Sequence, residues 1–348
     1  MKALRWHGRR DLRLDDVPEP DSGPGQLKIR VALAGICGTD LKEYADGPVL
    51  VDAAKAPVTL GHEFCGTVAA TGPGVTGFTP GDRVSGVGYL YCGTCHYCRQ
   101  GRVNLCVNAG FNGLTEHGCL ADYYLVPAYA CYRVPEAVPD ETAALVEPLA
   151  VGLHAVRQAR VRPGQSVAIV GDGAIGLSAL LAAKLEGAGA VCLVAKHPGR
   201  ARLAGRLGAT AVFFTDKEPV ARIQEVTDGL GADAAVECVG YPDTPQLAVD
   251  LTRPGGTISI AGVFERAGAF DFRTITFSER TLVGSSIYVN EGREVLDLLA
   301  AGKLDAAPLI SAIVPLARAV EQGFEALLND KERLVKVLVR VSGGASGF

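Results

Sequence analysis

The chain has 348 residues, 48% hydrophobic and 21% charged, with a formal net charge of −4. This length suits two domains with a sizeable core, and the slightly acidic balance excludes nucleic acid as the main partner, because phosphate binding wants a basic face. The most apolar stretches, residues 143–156 and 179–194, are interrupted by Glu147, Pro148, His154, Lys184 and Glu186, so neither reads as a membrane span.

The start, Met1-Lys2-Ala3-Leu4-Arg5-Trp6-His7, is a polar-flanked strand pattern with no secretory apolar core. A cytoplasmic protein is expected. Ten cysteines could suggest a disulfide framework, but such frameworks belong mainly to oxidising compartments. Four of them fall at spacings that suit a metal. Cys65, Cys119, Cys131, Cys192 and Cys238 read as small buried hydrophobes.

Up to about residue 140 the chain is strands and turns. Residues 26–31 alternate polar and apolar, as a half-buried strand does. Residues 67–70, 83–87 and 120–126 are further short runs, separated by glycine and proline punctuation such as Gly72-Pro73-Gly74 and Thr79-Pro80-Gly81-Asp82. Cys37 follows the first strand in Gly35-Ile36-Cys37-Gly38-Thr39-Asp40, where flanking glycines let the backbone crowd a ligand. Next comes Gly61-His62-Glu63-Phe64-Cys65-Gly66. Thiolate, imidazole and carboxylate are the ligands of a catalytic zinc, which takes three from protein and keeps one position open. Cys37 and His62 supply the first two. The carboxylate is Glu63 or Glu147, the latter in an apolar helix start where a charge is expected to need a cation partner.

Between these lies the strongest single signal, Cys92-Gly93-Thr94-Cys95-His96-Tyr97-Cys98 followed by Cys106. Two successive two-residue gaps gather three thiolates, and a short loop returns the fourth. A four-cysteine site has no open position, so this zinc is structural.

From Asp140 the texture changes. Residues 140–157 read as a helix, after which strands at 166–170, 190–195, 211–214, 234–238 and 257–261 alternate with helices at 175–184, 198–207, 218–227 and 244–251. Such alternation implies a parallel sheet covered on both faces. Beyond residue 281 the pattern loosens into a helix at 294–301 and a closing strand at 334–341. The expected α/β architecture is a β-rich domain of residues 1–148 and 285–348, interrupted by a doubly wound domain of residues 149–284. The run Gly171-Asp172-Gly173-Ala174-Ile175-Gly176 follows an apolar strand and opens a helix, the context of a dinucleotide fingerprint. The first glycine makes the turn, the second admits the pyrophosphate and the third lets helix meet strand. Cys238 and Val239, after a later strand, are further cofactor-binding candidates.

These motifs resemble the zinc-dependent medium-chain alcohol dehydrogenase family nearly end to end. Gly61-His62-Glu63 with Gly66, Gly72 and Val75 is similar to its zinc signature, and Cys92, Cys95, Cys98 and Cys106 to its structural lobe. Trp6-His7-Gly8, Gly35-Ile36-Cys37-Gly38-Thr39-Asp40 and Val146-Glu147-Pro148-Leu149-Ala150-Val151 resemble the butanediol and sorbitol dehydrogenase branch. The resemblance implies a GroES-like catalytic domain, a Rossmann domain, two zinc ions per chain and a site in the cleft between the domains. It implies hydride transfer between a secondary alcohol or vicinal diol and NADP or NAD, by a homodimer or homotetramer. Glu147 is the third zinc ligand in butanediol-type members and Glu63 in polyol-type ones, while Thr39 matches the hydroxyl that hands the proton onward.

Two departures stand out. Lys42 occupies the position of a histidine that often passes the proton to solvent, so Lys42, Tyr44, the ribose hydroxyls or water is expected to serve. Ala195 occupies the place of the acid that normally holds the ribose hydroxyls of NAD. Its absence removes a repulsion against a 2′-phosphate, with which Lys196 and Arg200 are expected to pair. NADP preference is the expectation.

Overall fold

Strand Gln26–Gly35 is the spine of the first unit. Leu27, Ile29, Val31 and Leu33 are buried, while Lys28 and Arg30 point away from the core, as period-two alternation demands. Glu63–Thr71 pairs antiparallel along one edge. The other edge is shared: the first half takes Tyr123–Pro127 and the last residues take Lys336–Arg340. The resulting seven-stranded sheet also holds Arg83–Gly86, Cys131–Arg133 and Ile310–Pro315. The structure, a computed structural model, describes residues 1–268 and 270–342. It divides into one unit of Met1–Glu147 with the chain from Gly292 onward, and a second of Pro148–Glu291.

The second unit carries six parallel strands: β1 (Ser166–Val170), β2 (Ala190–Ala195), β3 (Ala211–Phe214), β4 (Ala232–Glu237), β5 (Thr252–Ile260) and β6 (Thr281–Gly284). Their order is β3-β2-β1-β4-β5-β6, the Rossmann order, in which ligands bind where the chain reverses direction beside β1. Ala168, Val170, Cys192, Val194, Ala235 and Ile258 pack against Ile223, Ala248 and Val249 from the covering helices. Helix α1 (Ala174–Leu185) follows β1, and α2 (Pro198–Arg206) follows β2.

Two expectations change. The helix expected over residues 140–157 is two, Asp140–Ala143 and Val146–Gln158. Pro148 has no N–H for the carbonyl of Ala144, so the ladder cannot run through that point. The sixth strand, β6, falls where the sequence pattern had loosened. Its Thr281 and Leu282 are exposed, so it lacks the continuous apolar run of the central strands. Among the described residues no helix is long and apolar enough to cross a membrane.

Candidate metal and cofactor sites

Cys37 caps the helix Gly38–Asp46, and Asp40 in that helix's first turn returns to accept from the Cys37 backbone N–H at 2.9 Å. The other oxygen of Asp40 accepts from the Gly61 N–H at 3.1 Å and lies 3.9 Å from His62 Nδ1. One buried carboxylate thus ties the segment of the cysteine to that of the histidine, which lie at the ends of two paired strands. The metal-ligating atoms of Cys37, His62 and Glu63 lie within 4.8 Å of one another. Nδ1 of His62 and Oγ1 of Thr39 are buried with no hydrogen-bond partner. Burial works against a charged His62, but Cys37, Asp40 and Glu147 outweigh it and raise its pKa well above the ordinary imidazole value. An imidazole nitrogen without a partner, beside a thiol and two carboxylates, has the donor chemistry of a zinc site.

The two candidate carboxylates differ in one respect. Glu63 gives both oxygens to Lys336 Nζ, at 2.6 and 2.8 Å, and that ammonium also donates to the Ile36 carbonyl. Lys336 is 3% exposed and Glu63 fully buried. Burial lowers the lysine's pKa, yet the charges of Glu63, Cys37 and Glu147 leave it raised. The cation partner expected for Glu147 is not there: among the described residues no ion pair reaches it, and Lys336 acts on it only through space. Burial pushes Glu147 up to about 7, against the pull of His62 and Lys336. Gly88 separates Glu147 from His62: a Cβ there would sit 3.1 Å from His62 Cδ2 and 3.4 Å from Glu147 Oε1.

Cys92, Cys95, Cys98 and Cys106 also bring their sulfurs within 4.8 Å of one another. The Cys95 N–H points at Cys92 Sγ at 3.3 Å, and the Cys92 and Asn108 N–H groups at Cys106 Sγ at 3.3 and 3.4 Å. N–H donors from Thr94 and Cys95, with the Thr94 hydroxyl, lower Cys92 to about 5, while burial pushes Cys98 up to about 12. Backbone amides aimed at sulfur suit thiolates. All ten cysteines are free.

In the second unit the glycine run joins β1 to α1. Gly171 has φ +118, and a Cβ on Gly176 would collide with the Gly171 carbonyl, so helix and turn meet only through glycine. A Cβ on Gly173, the residue before Ala174 and Ile175, would meet nothing, which is the open backbone a pyrophosphate needs at a helix N-terminus. Cys238 and Val239 follow β4 and pack beside Gly171. The end of β2 differs from expectation. Ala195 is buried there, but the place is not free of carboxylate: Asp172 Oδ2 accepts from the Lys196 and His197 N–H groups at 2.9 and 2.7 Å. Arg200 stands with Nη1 3.8 Å from the other oxygen of Asp172, while Lys196 is exposed.

Residues 23–136 match the family model of the alcohol dehydrogenase GroES-like domain, and residues 174–301 that of the zinc-binding dehydrogenases. The chain belongs to the zinc-dependent medium-chain alcohol dehydrogenase family. It is 37% identical to the (R,R)-butanediol dehydrogenase of Bacillus subtilis (strain 168), over 98% of this chain and 99% of that protein. It is 32% identical to the sorbitol dehydrogenase of the same organism, over 97% of each. A Sinorhizobium meliloti 1021 protein assigned as a zinc-binding dehydrogenase and solved bound to NADP superposes with a TM-score of 0.88, at 34% identity over 97% of this chain and 98% of that one.

As a member of this family the chain is an oxidoreductase acting on CH–OH groups, built from a GroES-like and a Rossmann unit. Two residues at this candidate site, Asp40 and Lys336, had no role in the sequence reading, and Gly35 had one only as a glycine flanking Cys37. Asp40 stands within a quoted motif, but its two-sided grip depends on the fold. Lys336 left a faint signal, a lysine beside Val335 and Val337 at the start of an apolar strand. Gly35 sits opposite Glu63 in the ladder, where a Cβ would overlap the Glu63 carboxylate.

Proposed function

We propose that this chain interconverts secondary alcohols or vicinal diols of the 2,3-butanediol and acetoin type with their ketones, using a nicotinamide cofactor and preferring NADP. The observation that carries this reading is the gathering of Cys37 and His62 with two buried carboxylates, Glu63 within 4.8 Å of both and Glu147 across Gly88 from His62. Glu63 is already neutralised by Lys336, so the carboxylate left for a metal is Glu147. We assign Cys37, His62 and Glu147 as catalytic zinc ligands, with Glu63 and Lys336 as their buried support, and Cys92, Cys95, Cys98 and Cys106 as the structural set. When bound, the zinc supplies Lewis acidity that lowers the pKa of an alcohol, and the nicotinamide accepts the hydride.

The chain's own residues manage position and protons. Thr39 Oγ1, buried and without a partner, accepts the hydrogen bond of the substrate hydroxyl. Lys42 follows one turn along the same helix, partly exposed, with its ammonium 3.0 Å from Asp46; an ammonium has donors and no acceptor, so it cannot take up the proton, and water carries it to solvent. Tyr44 serves less well, since its hydroxyl is bound to Glu325 at 2.5 Å. The preference for NADP is supported by Ala195 in the usual acidic place, with Lys196, His197 and Arg200 around it. A cytoplasmic homodimer or homotetramer belongs to the same proposal, and light scattering of the purified protein decides the assembly.

The test is one absorbance assay of zinc-loaded protein on diols, acetoin, diacetyl, polyols, simple secondary alcohols and threonine, each with both cofactors. Fastest turnover of butanediol or acetoin with NADP(H) is the expected result. Activity confined to polyols, favoured by the sorbitol dehydrogenase likeness, or to threonine would move the substrate assignment. Equal or better efficiency with NAD would remove the cofactor preference. Cofactor binding without turnover anywhere would point to a redox sensor.

A further inference from the structure

The end of β2 pairs a missing acid with a borrowed one. Asp172 belongs to the glycine run after β1, is 5% exposed, and projects across to the neighbouring strand's end. Its Oδ2 takes the N–H groups of Lys196 and His197. The His197 ring nitrogen Nδ1 stands 3.2 Å from Oδ1 and 3.1 Å from Oδ2, and the Arg200 guanidinium 3.8 Å from Oδ1. The two N–H groups are on Oδ2, while Oδ1 faces the His197 ring and the Arg200 guanidinium at longer distances. A carboxylate oxygen has room for another donor.

Resting on the nicotinamide reading above, we infer that Asp172 is the residue that sets discrimination between NAD and NADP. Its Oδ1 accepts the adenosine ribose hydroxyls that an acid at position 195 would otherwise hold. The same charge acts against a 2′-phosphate and partly offsets Lys196 and Arg200. Preference for NADP is therefore a balance within one cluster, with cations drawing the phosphate and Asp172 keeping NAD usable. Removing the negative charge while keeping the backbone acceptor should shift both sides of that balance in one direction.

The measurement is calorimetric titration of the full-length zinc-loaded protein and its Asp172→Asn variant with NAD and with NADP. The variant should bind NAD about tenfold or more weakly, the scale of one charge-assisted hydrogen bond, and bind NADP at least as tightly as wild type. A ratio of the two affinities unchanged within about twofold, or shifted toward NAD, overturns the assignment. A second measurement needs no variant: wild-type protein should bind NAD lacking the adenosine 2′-hydroxyl several-fold more weakly than NAD, and equal affinity overturns the inference. Failure of wild type to bind either dinucleotide defeats the underlying cofactor reading itself, which is a separate result.

Discussion

Lys336 Nζ lies 2.6 and 2.8 Å from the two oxygens of Glu63, 273 residues earlier in the chain. The pair is fully enclosed and sits against Cys37 through the Ile36 carbonyl. Removing one partner of a buried pair strands the other charge, at a cost of roughly 3–5 kcal/mol. Lys336→Met should therefore lower the unfolding midpoint strongly and reduce zinc retention, with Lys336→Arg recovering part of both. A Lys336→Met protein with wild-type thermal unfolding and metal content would show that Glu63 needs no such partner.

The choice between carboxylates gives a second prediction. Glu147→Gln should lose zinc from the catalytic site and more than about a hundredfold of activity, whereas Glu63→Gln, acting behind the ligands, should lose about ten- to a hundredfold. Zinc stoichiometry of each variant decides it. If Glu63→Gln is the one that loses metal, the ligand roles exchange. Cys37→Ser should abolish turnover with an unchanged circular dichroism spectrum, and activity surviving complete chelation would remove zinc from the chemistry.

The four-cysteine lobe behaves differently, because binding energy at a closed site is folding energy. Cys95→Ser should lower the unfolding temperature and release one zinc per chain while the Cys37 site still binds. Identical melting curves for the variant and wild type would count against a structural metal.

Acid stability follows from Glu291. Burial pushes its carboxyl up, but hydrogen bonds from His154 and the Val289 N–H outweigh it and hold the group at about 2, against an ordinary 4.5. A depressed carboxylate contributes stability above its unfolded value and loses it as pH falls through the folded one. The window is thus pH 4.5 down to 2, and the amount is on the order of 3 kcal/mol. Denaturant midpoints should drop across that window for wild type. For Glu291→Gln they should start lower at pH 7 and change less on acidification.

Much of this was legible in the chain. Spacing pointed to Cys92, Cys95, Cys98 and Cys106 as one set, since two successive two-residue gaps keep three thiols within seven residues of one loop. The glycine run after residues 166–170 was equally plain, because a strand, a turn and a helix N-terminus are local. What escaped was the partnering of charges over long separations. No local pattern says that Lys336 meets Glu63, or that Glu147 meets no cation. Ala195 shows the same limit from the other side. The missing acid was visible in its own strand, but the carboxylate that reaches the place belongs to a different loop.

The pairing of Lys336–Arg340 with the end of Gln26–Gly35 has a consequence for biosynthesis. Cys37, His62 and Glu147 are all made in the first half of translation, yet the strand bearing the lysine that neutralises their neighbour Glu63 emerges only after the whole Rossmann unit. Until then Glu63 has no lysine to pair with, and the first unit lacks the strand that joins Gln26–Gly35 to Ile310–Pro315. A ribosome-bound chain stopped at residue 330 should expose that half-made sheet, while the Rossmann unit, whose six strands are all encoded upstream, can already have folded.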